Sequence, residues 1–128
     1  MGLQIKIVHD GARNASVQIT GTGMYEWRSI VDLDALSPRP KEVRLDAVYY
    51  AMSDKLEAQL AWHSDESDRT PFLPLGGRGK IDFSEVSGLH NNAPDKSGHI
   101  EMRVVGDNKE GIFTLVLDLS KHLGVQNG

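Results

Sequence analysis

The chain of 128 residues contains no cysteine, which excludes disulfide bonds, thiolate nucleophiles and cysteine-based zinc sites. It has no apolar run near the roughly 20 residues that cross a bilayer, so we expect no membrane partner. Its 14 basic residues are outnumbered by 18 acidic ones. We therefore expect no nucleic-acid partner, because such binding requires clustered Lys and Arg. The length indicates a single domain over residues 1–128.

What the chain does have is apolar residues at every second position. In residues 42–52 they are Val43, Leu45, Ala47 and Tyr49, and in residues 56–63 they are Leu56, Ala58, Leu60 and Trp62. Period-two alternation is typical of strands with one buried and one solvated face. Trp62 is in phase with its apolar neighbours and is predicted to lie in the core.

The three residues 53–55 between these runs allow two interpretations. Ser53 could cap a helix running to Trp62, with Leu56 and Leu60 four residues apart. Alternatively, the two runs are the arms of a β-hairpin. We favour the hairpin, because a helix would leave the preceding strand without its neighbour.

The same alternation recurs elsewhere. It predicts a first strand with Leu3, Ile5 and Ile7, a return strand over residues 16–20, a third over residues 25–33, and two final strands around residues 100–104 and 112–119. Residues 64–79 are rich in Ser, Asp, Pro and Gly, and are predicted to form a long irregular loop. The fold class is all-β: an antiparallel, jelly-roll-like β-sandwich of seven to eight short strands.

Reacting groups are not recognisable from spacing. The histidines at positions 9, 63, 90, 99 and 122 form no zinc-ligand pair. Residues 76–80 (GGRGK) lack the other glycine and the hydroxyl residue of a phosphate loop, which indicates a flexible loop with exposed cations. The three carboxylates in residues 65–68 indicate a solvated loop, with cation binding left open. We therefore expect no catalytic residue, metal or cofactor, and no enzymatic activity.

Two groups of apolar residues are candidates for binding a sugar or a protein partner. Tyr25 and Trp27 share a strand face by alternation and could stack on a sugar, although core packing is the simpler interpretation. Phe72, Leu73 and Leu75 lie between prolines and glycines, with Arg78 close by. Such residues either fix a loop to its own domain or dock on a partner. They form the candidate partner interface.

An ordered series of landmarks resembles a family of small β-sandwich virion structural proteins of tailed bacteriophages. The resemblance covers roughly residues 15–122, and its order and spacing carry it. The landmarks are VDLDAL (31–36), VRLDAVYYAM (43–52), LAWH (60–63), GRGKIDF (77–83), SGL (87–89), SGHI (97–100) and Lys121.

The resemblance implies a capsid decoration or cement protein that binds the head surface, with a head–tail connector, neck or tail protein as one alternative. Its partners would be the major capsid protein or other virion proteins, with homo-oligomers in a virion assembled in the host cytoplasm. Replacing Phe72 and Leu75 with Asp is then expected to prevent incorporation without unfolding the domain. A carbohydrate-binding sandwich that uses Tyr25 and Trp27 is the alternative from another class.

Overall fold

The computed structural model describes residues 3–64, 71–83, 88–89 and 96–122. Its strands, in chain order, are β1 (Gln4–Asp10), β2 (Asn14–Thr22), β3 (Tyr25–Val31), β4 (Glu42–Met52), β5 (Leu56–Ser64), β6 (Leu73–Gly76), β7 (Arg78–Asp82), β8 (Lys96–Gly106) and β9 (Ile112–His122). A 3-10 turn at Leu33–Ala35 follows β3. In the described part of the chain, no helix is long and apolar enough to cross a membrane.

The strands form two antiparallel sheets that enclose one apolar core. The five-stranded sheet has the order β1-β2-β9-β4-β7, and the four-stranded sheet has the order β3-β8-β5-β6. Both sheets contribute to the same buried cluster, which includes Leu117 of the first sheet and Met102 of the second. The predicted all-β sandwich is confirmed, with nine strands in the described residues where seven to eight were expected.

Alternation correctly identified the buried face of the central strands. The inward residues of β9 are Phe113, Leu115, Leu117 and Leu119, all at most 2% exposed. In β5, Trp62 is buried in phase with Leu60, as predicted. These strands have neighbours on both sides and a second sheet against one face, so their side-chain pattern follows the pleat.

The predicted hairpin of residues 42–52 and 56–63 is wrong in its pairing. Both segments are strands, so the helix alternative also fails. However, β4 pairs with β9 and β7, whereas β5 pairs with β8 and β6. The short link between them crosses from one sheet to the other, with Lys55 at a φ of 66°. Alternation predicts which face of a strand is buried, but it does not predict which strand pairs with it.

The predicted inward phase of β4 is also wrong at its far end. The register of β4 against β9 shifts between Leu45 and Ala47, which leaves Asp46 as an extra residue on β4. Such a β-bulge reverses the alternation beyond it. Val48 is consequently buried, and the side chain of Tyr49 lies on the outer face, 39% exposed.

The predicted loop at residues 64–79 is shorter than expected, because its second half is ordered as strands. Residues 65–70, including the acidic cluster, lie outside the described residues. Strand β6 pairs with β5 despite Pro74, which is tolerated because β6 is an edge strand. Gly77, at a φ of 72°, turns the chain into β7. Residues 76–80 are therefore a turn and an edge strand, and the flexible-loop interpretation is corrected.

Candidate functional sites

The predicted sugar-stacking pair, Tyr25 and Trp27, does not lie on one face of β3. The register of β3 against β8 shifts between Tyr25 and Arg28, so this bulge lies between the two aromatic side chains. Tyr25 packs against the core, with its ring edge-on to Phe113 at 5.9 Å. Trp27 instead lies against the guanidinium of Arg103, which is 4.9 Å from its ring centroid. The expectation of one shared face is therefore wrong.

Trp27 begins a line of polar contacts across the outer face of the four-stranded sheet. The Nε of Arg103 donates to Oε1 of Gln59 at 2.7 Å. The Nε2 of Gln59 in turn donates to Oε2 of Glu57 at 2.6 Å. We call these four half-buried residues, Trp27, Arg103, Gln59 and Glu57, the Arg103 stripe. They come from β3, β8 and β5, so sequence spacing did not bring them together. Only the pairing of β8 with β5, which places Gln59 opposite Arg103, reveals the stripe.

The predicted partner interface is mostly part of the protein's own core. Leu75 is 2% exposed and belongs to the buried cluster. Phe72 stacks on Trp62 with ring centroids 4.9 Å apart, and Leu73 packs against the same core. Arg78 alone is exposed, at the start of β7. Of the two interpretations, the loop is fixed to its own domain, because Phe72 and Leu75 fill space beside β5. The expectation that Asp at these positions would leave the domain folded is corrected accordingly.

Strand β1 presents exposed apolar side chains at one edge of the five-stranded sheet. All seven of its residues are exposed. Ile5 and Ile7 are 44% and 37% exposed, and Val8, at a register shift against β2, is 48% exposed. Beneath Ile5 and Ile7 an apolar cleft of about 260 Å³ opens between the sheets, bounded on the far side by Ile30 and Val31 of β3. The two edge strands β1 and β3 thus leave one side of the sandwich incompletely closed.

The structure brings together acidic and histidine side chains that spacing did not pair. Asp32, Asp34 and His99 lie close enough to hold an ion. Their atoms, however, serve the 3-10 turn: Asp32 accepts from the amide of Asp34 at 2.9 Å, and Nδ1 of His99 accepts from the amide of Leu33 at 3.1 Å. The Arg39 guanidinium lowers the pKa of Asp34 by hydrogen bonding and charge. Helix capping accounts for this cluster.

A second contact involves Glu101, an acidic residue that is buried among the described residues. Glu101 is 8% exposed, and its Oε2 lies 2.9 Å from Nδ1 of His63. The rings of His63 and His99 are 6.2 Å apart. His90 lies outside the described residues. The described histidines His63 and His99 therefore lie on adjacent strands, where the prediction treated each histidine in isolation.

No protein-family model matches the chain, and no curated protein matches it significantly. Solved structures do match at low similarity. The Cnp3 cupin domain of Schizosaccharomyces pombe is 7% identical over 93% of this chain and 61% of that one, with a TM-score of 0.40. A cupin domain from Bordetella pertussis is 8% identical over 92% of this chain and 93% of that one, with a TM-score of 0.39.

A xylan-binding domain from Paenibacillus barcinonensis is 11% identical over 98% of this chain and 84% of that one, with a TM-score of 0.40. These three neighbours are two cupin domains and one xylan-binding domain. The chain spans only 61% of the length of the Schizosaccharomyces domain. At these identities the likeness concerns the sandwich fold, and function has to be argued from the residues of this chain.

Proposed function

We propose that this protein is a structural component of a bacteriophage virion, without enzymatic activity, that attaches to the major capsid protein through strand β1. The exposed apolar edge at Ile5, Ile7 and Val8 is the observation that carries the proposal. An edge strand with unpaired backbone groups accepts an added strand from a partner, and apolar side chains beside it add contact area. The resemblance to small virion proteins supplies the identity of the assembly.

The other three sheet edges are less suited to strand addition. Strand β6 has four residues and contains Pro74, which cannot donate to a ladder. Strand β7 carries Arg78 and Lys80, and charges at an edge oppose pairing. Strand β3 has two register shifts that interrupt a regular ladder. Strand β1 also carries Lys6 and Asp10 and has one register shift, but it combines seven residues with three exposed apolar side chains.

Attachment by β1 would act through repetition. A single seven-residue edge supports a modest contact, but a symmetric shell presents the same site many times. Decoration of the head surface fits this mechanism, and a position at the neck or tail would use the same edge. The proposed interface replaces the one predicted at residues 72–78.

The test is incorporation of variants into virions assembled with each variant as the sole copy of the chain. We expect Ile5→Lys/Ile7→Lys to be lost from purified particles, because two charges would enter the apolar contact. The matched control is Gln18→Lys/Thr20→Lys, which adds equal charge to the outer face of neighbouring β2. Both variants should remain folded by circular dichroism. Normal incorporation of the isoleucine variant excludes β1 as the interface, and absence of the wild-type chain from particles excludes the virion role.

A further inference from the structure

Arg103 is held in a fixed orientation on the outer face of the four-stranded sheet. Its Nε donates to Gln59, and its guanidinium faces the ring of Trp27. Gln59 is itself fixed by its hydrogen bond to Glu57. A long cationic side chain normally loses considerable rotamer freedom when it binds a ligand. Here the contacts within the Arg103 stripe have already restricted that freedom.

The same contacts leave the binding edge of the guanidinium unused. The two terminal amino groups of Arg103 have no hydrogen-bond partner among the described residues, and neither has the indole N–H of Trp27. Two terminal amino groups in one plane match the two oxygens of a carboxylate. Glu101, which lies on the same strand face, is 2.9 Å from His63. The fixed guanidinium therefore presents free donors to solvent.

The surroundings of Arg103 favour a sugar over a bare anion. A shallow pocket of about 200 Å³ adjoins Arg103, and its other lining residues are Met24, Tyr25, Glu26, Val104 and Val105. Two carboxylates lie nearby: Glu26 lines the same pocket, and Glu57 accepts a hydrogen bond from Gln59. They would accept hydrogen bonds from hydroxyl groups, as carboxylates do in saccharide recognition. A ligand with one carboxylate and several hydroxyls satisfies both kinds of group.

We propose that the Arg103 stripe binds an acidic saccharide, with the uronate carboxyl on the terminal amino groups of Arg103 and sugar hydroxyls on Glu26 and the indole N–H of Trp27. This site goes beyond the proposed attachment role and does not depend on it. It lies on the four-stranded sheet, whereas β1 belongs to the five-stranded sheet. The same chain can therefore attach to the capsid through one surface and bind a glycan through another.

The test is calorimetric titration of the purified protein with oligogalacturonate, followed in parallel by tryptophan fluorescence. We expect saturable binding that Arg103→Gln weakens by about 10- to 100-fold, since a charge-assisted contact is lost. Arg103→Lys keeps the charge but loses the planar fork, and should recover only part of the affinity. The matched control is Arg39→Gln, which removes an exposed guanidinium paired with Asp34 outside this pocket and should change binding little.

Each ligand in the series decides one element of the proposal. Galacturonate monomer should bind more weakly than the oligomer, and acetate should not compete. A neutral oligosaccharide that binds as tightly as the uronate would overturn the role of the carboxyl group. Acetate that binds as tightly as the oligomer would overturn the role of the sugar. No saturable uronate binding, or equal affinity in Arg103→Gln, would overturn the site itself.

Discussion

Strands β9 and β1 have the same alternation of apolar residues and lie in opposite environments. In β9, Leu115 and Leu117 are fully buried, whereas in β1, Ile5 is 44% exposed. The difference is position: β9 lies between β2 and β4, and β1 is the outermost strand of the same sheet. An apolar pattern thus identifies the face that can be buried, and the sheet order decides whether anything covers it.

The largest loss of stability is expected from a substitution in the central strand β9. Leu117→Ala should reduce the free energy of unfolding by about 2–5 kcal/mol, because it leaves a cavity in the packed core. The edge counterpart, Ile7→Ala, should cost less than about 1 kcal/mol. Urea denaturation of both variants measures the difference. Equal losses would show that the edge is packed as tightly as the centre, contrary to the open cleft beneath Ile7.

An intermediate effect is expected where the two compared strands are joined. The buried amine of Lys121, near the end of β9, donates to Oδ1 of Asp10 at the end of β1 at 2.6 Å, and also to the carbonyl of Gly11. This hydrogen bond lowers the pKa of Asp10 below its ordinary value of 3.8. The depressed pKa means that the charged form stabilises the fold above pH 3.8, and that this contribution is lost as pH falls through the lower folded value.

Asp10→Asn should therefore reduce the unfolding free energy at neutral pH by about 1.5–3 kcal/mol, the range for a hydrogen bond to a charged group. The difference from wild type should shrink as the pH falls below 3.8. Equilibrium unfolding at a series of pH values measures it. Asp34→Asn is the control, since the exposed pair with Arg39 should matter little. A difference that persists at low pH would assign the loss to packing.

The smallest effect concerns the bulge in β4. Tyr49→Ala should cost at most about 1 kcal/mol, because the exposed ring loses only its contact with Lys80, 5.1 Å from the ring centroid. Tyr50→Ala should cost more, because Tyr50 packs against the core. Thermal unfolding of the two variants ranks them. The reverse order would place Tyr49 inside, as simple alternation predicts, and would remove the bulge at Asp46.

Alternation predicted the strands well and their partners poorly. The buried faces of β2, β5, β8 and β9 followed from period two, because in these strands the inward side chains stay in phase. Tyr49 and Trp27 were misplaced for a common reason: an extra residue in one strand of a pair shifts the phase, and nothing in the local sequence marks the shift. The strand at residues 73–76 was missed because its proline argues against a sheet.

The candidate site was even less accessible to sequence reasoning. The alternation predicted Trp27 as a possible sugar contact, but Arg103, Gln59 and Glu57 are ordinary polar residues between core positions and carry no signal in the sequence. Their meaning depends on which strands are neighbours. The interface at Phe72 and Leu75 was predicted from apolar residues in a proline- and glycine-rich segment, and such composition does not distinguish a strand packed on its own core from a docking surface.

The sequence by itself determined the fold class and most of the core, because period-two alternation is visible in the sequence of each strand without knowledge of its neighbours. Tertiary structure decided the sheet order, the bulges, the open edge at β1 and the grouping of the Arg103 stripe. Strand pairing depends on contacts between distant residues, such as Gln59 with Arg103. Which surfaces remain free to bind follows from that pairing, because a side chain is exposed only where no other strand covers it.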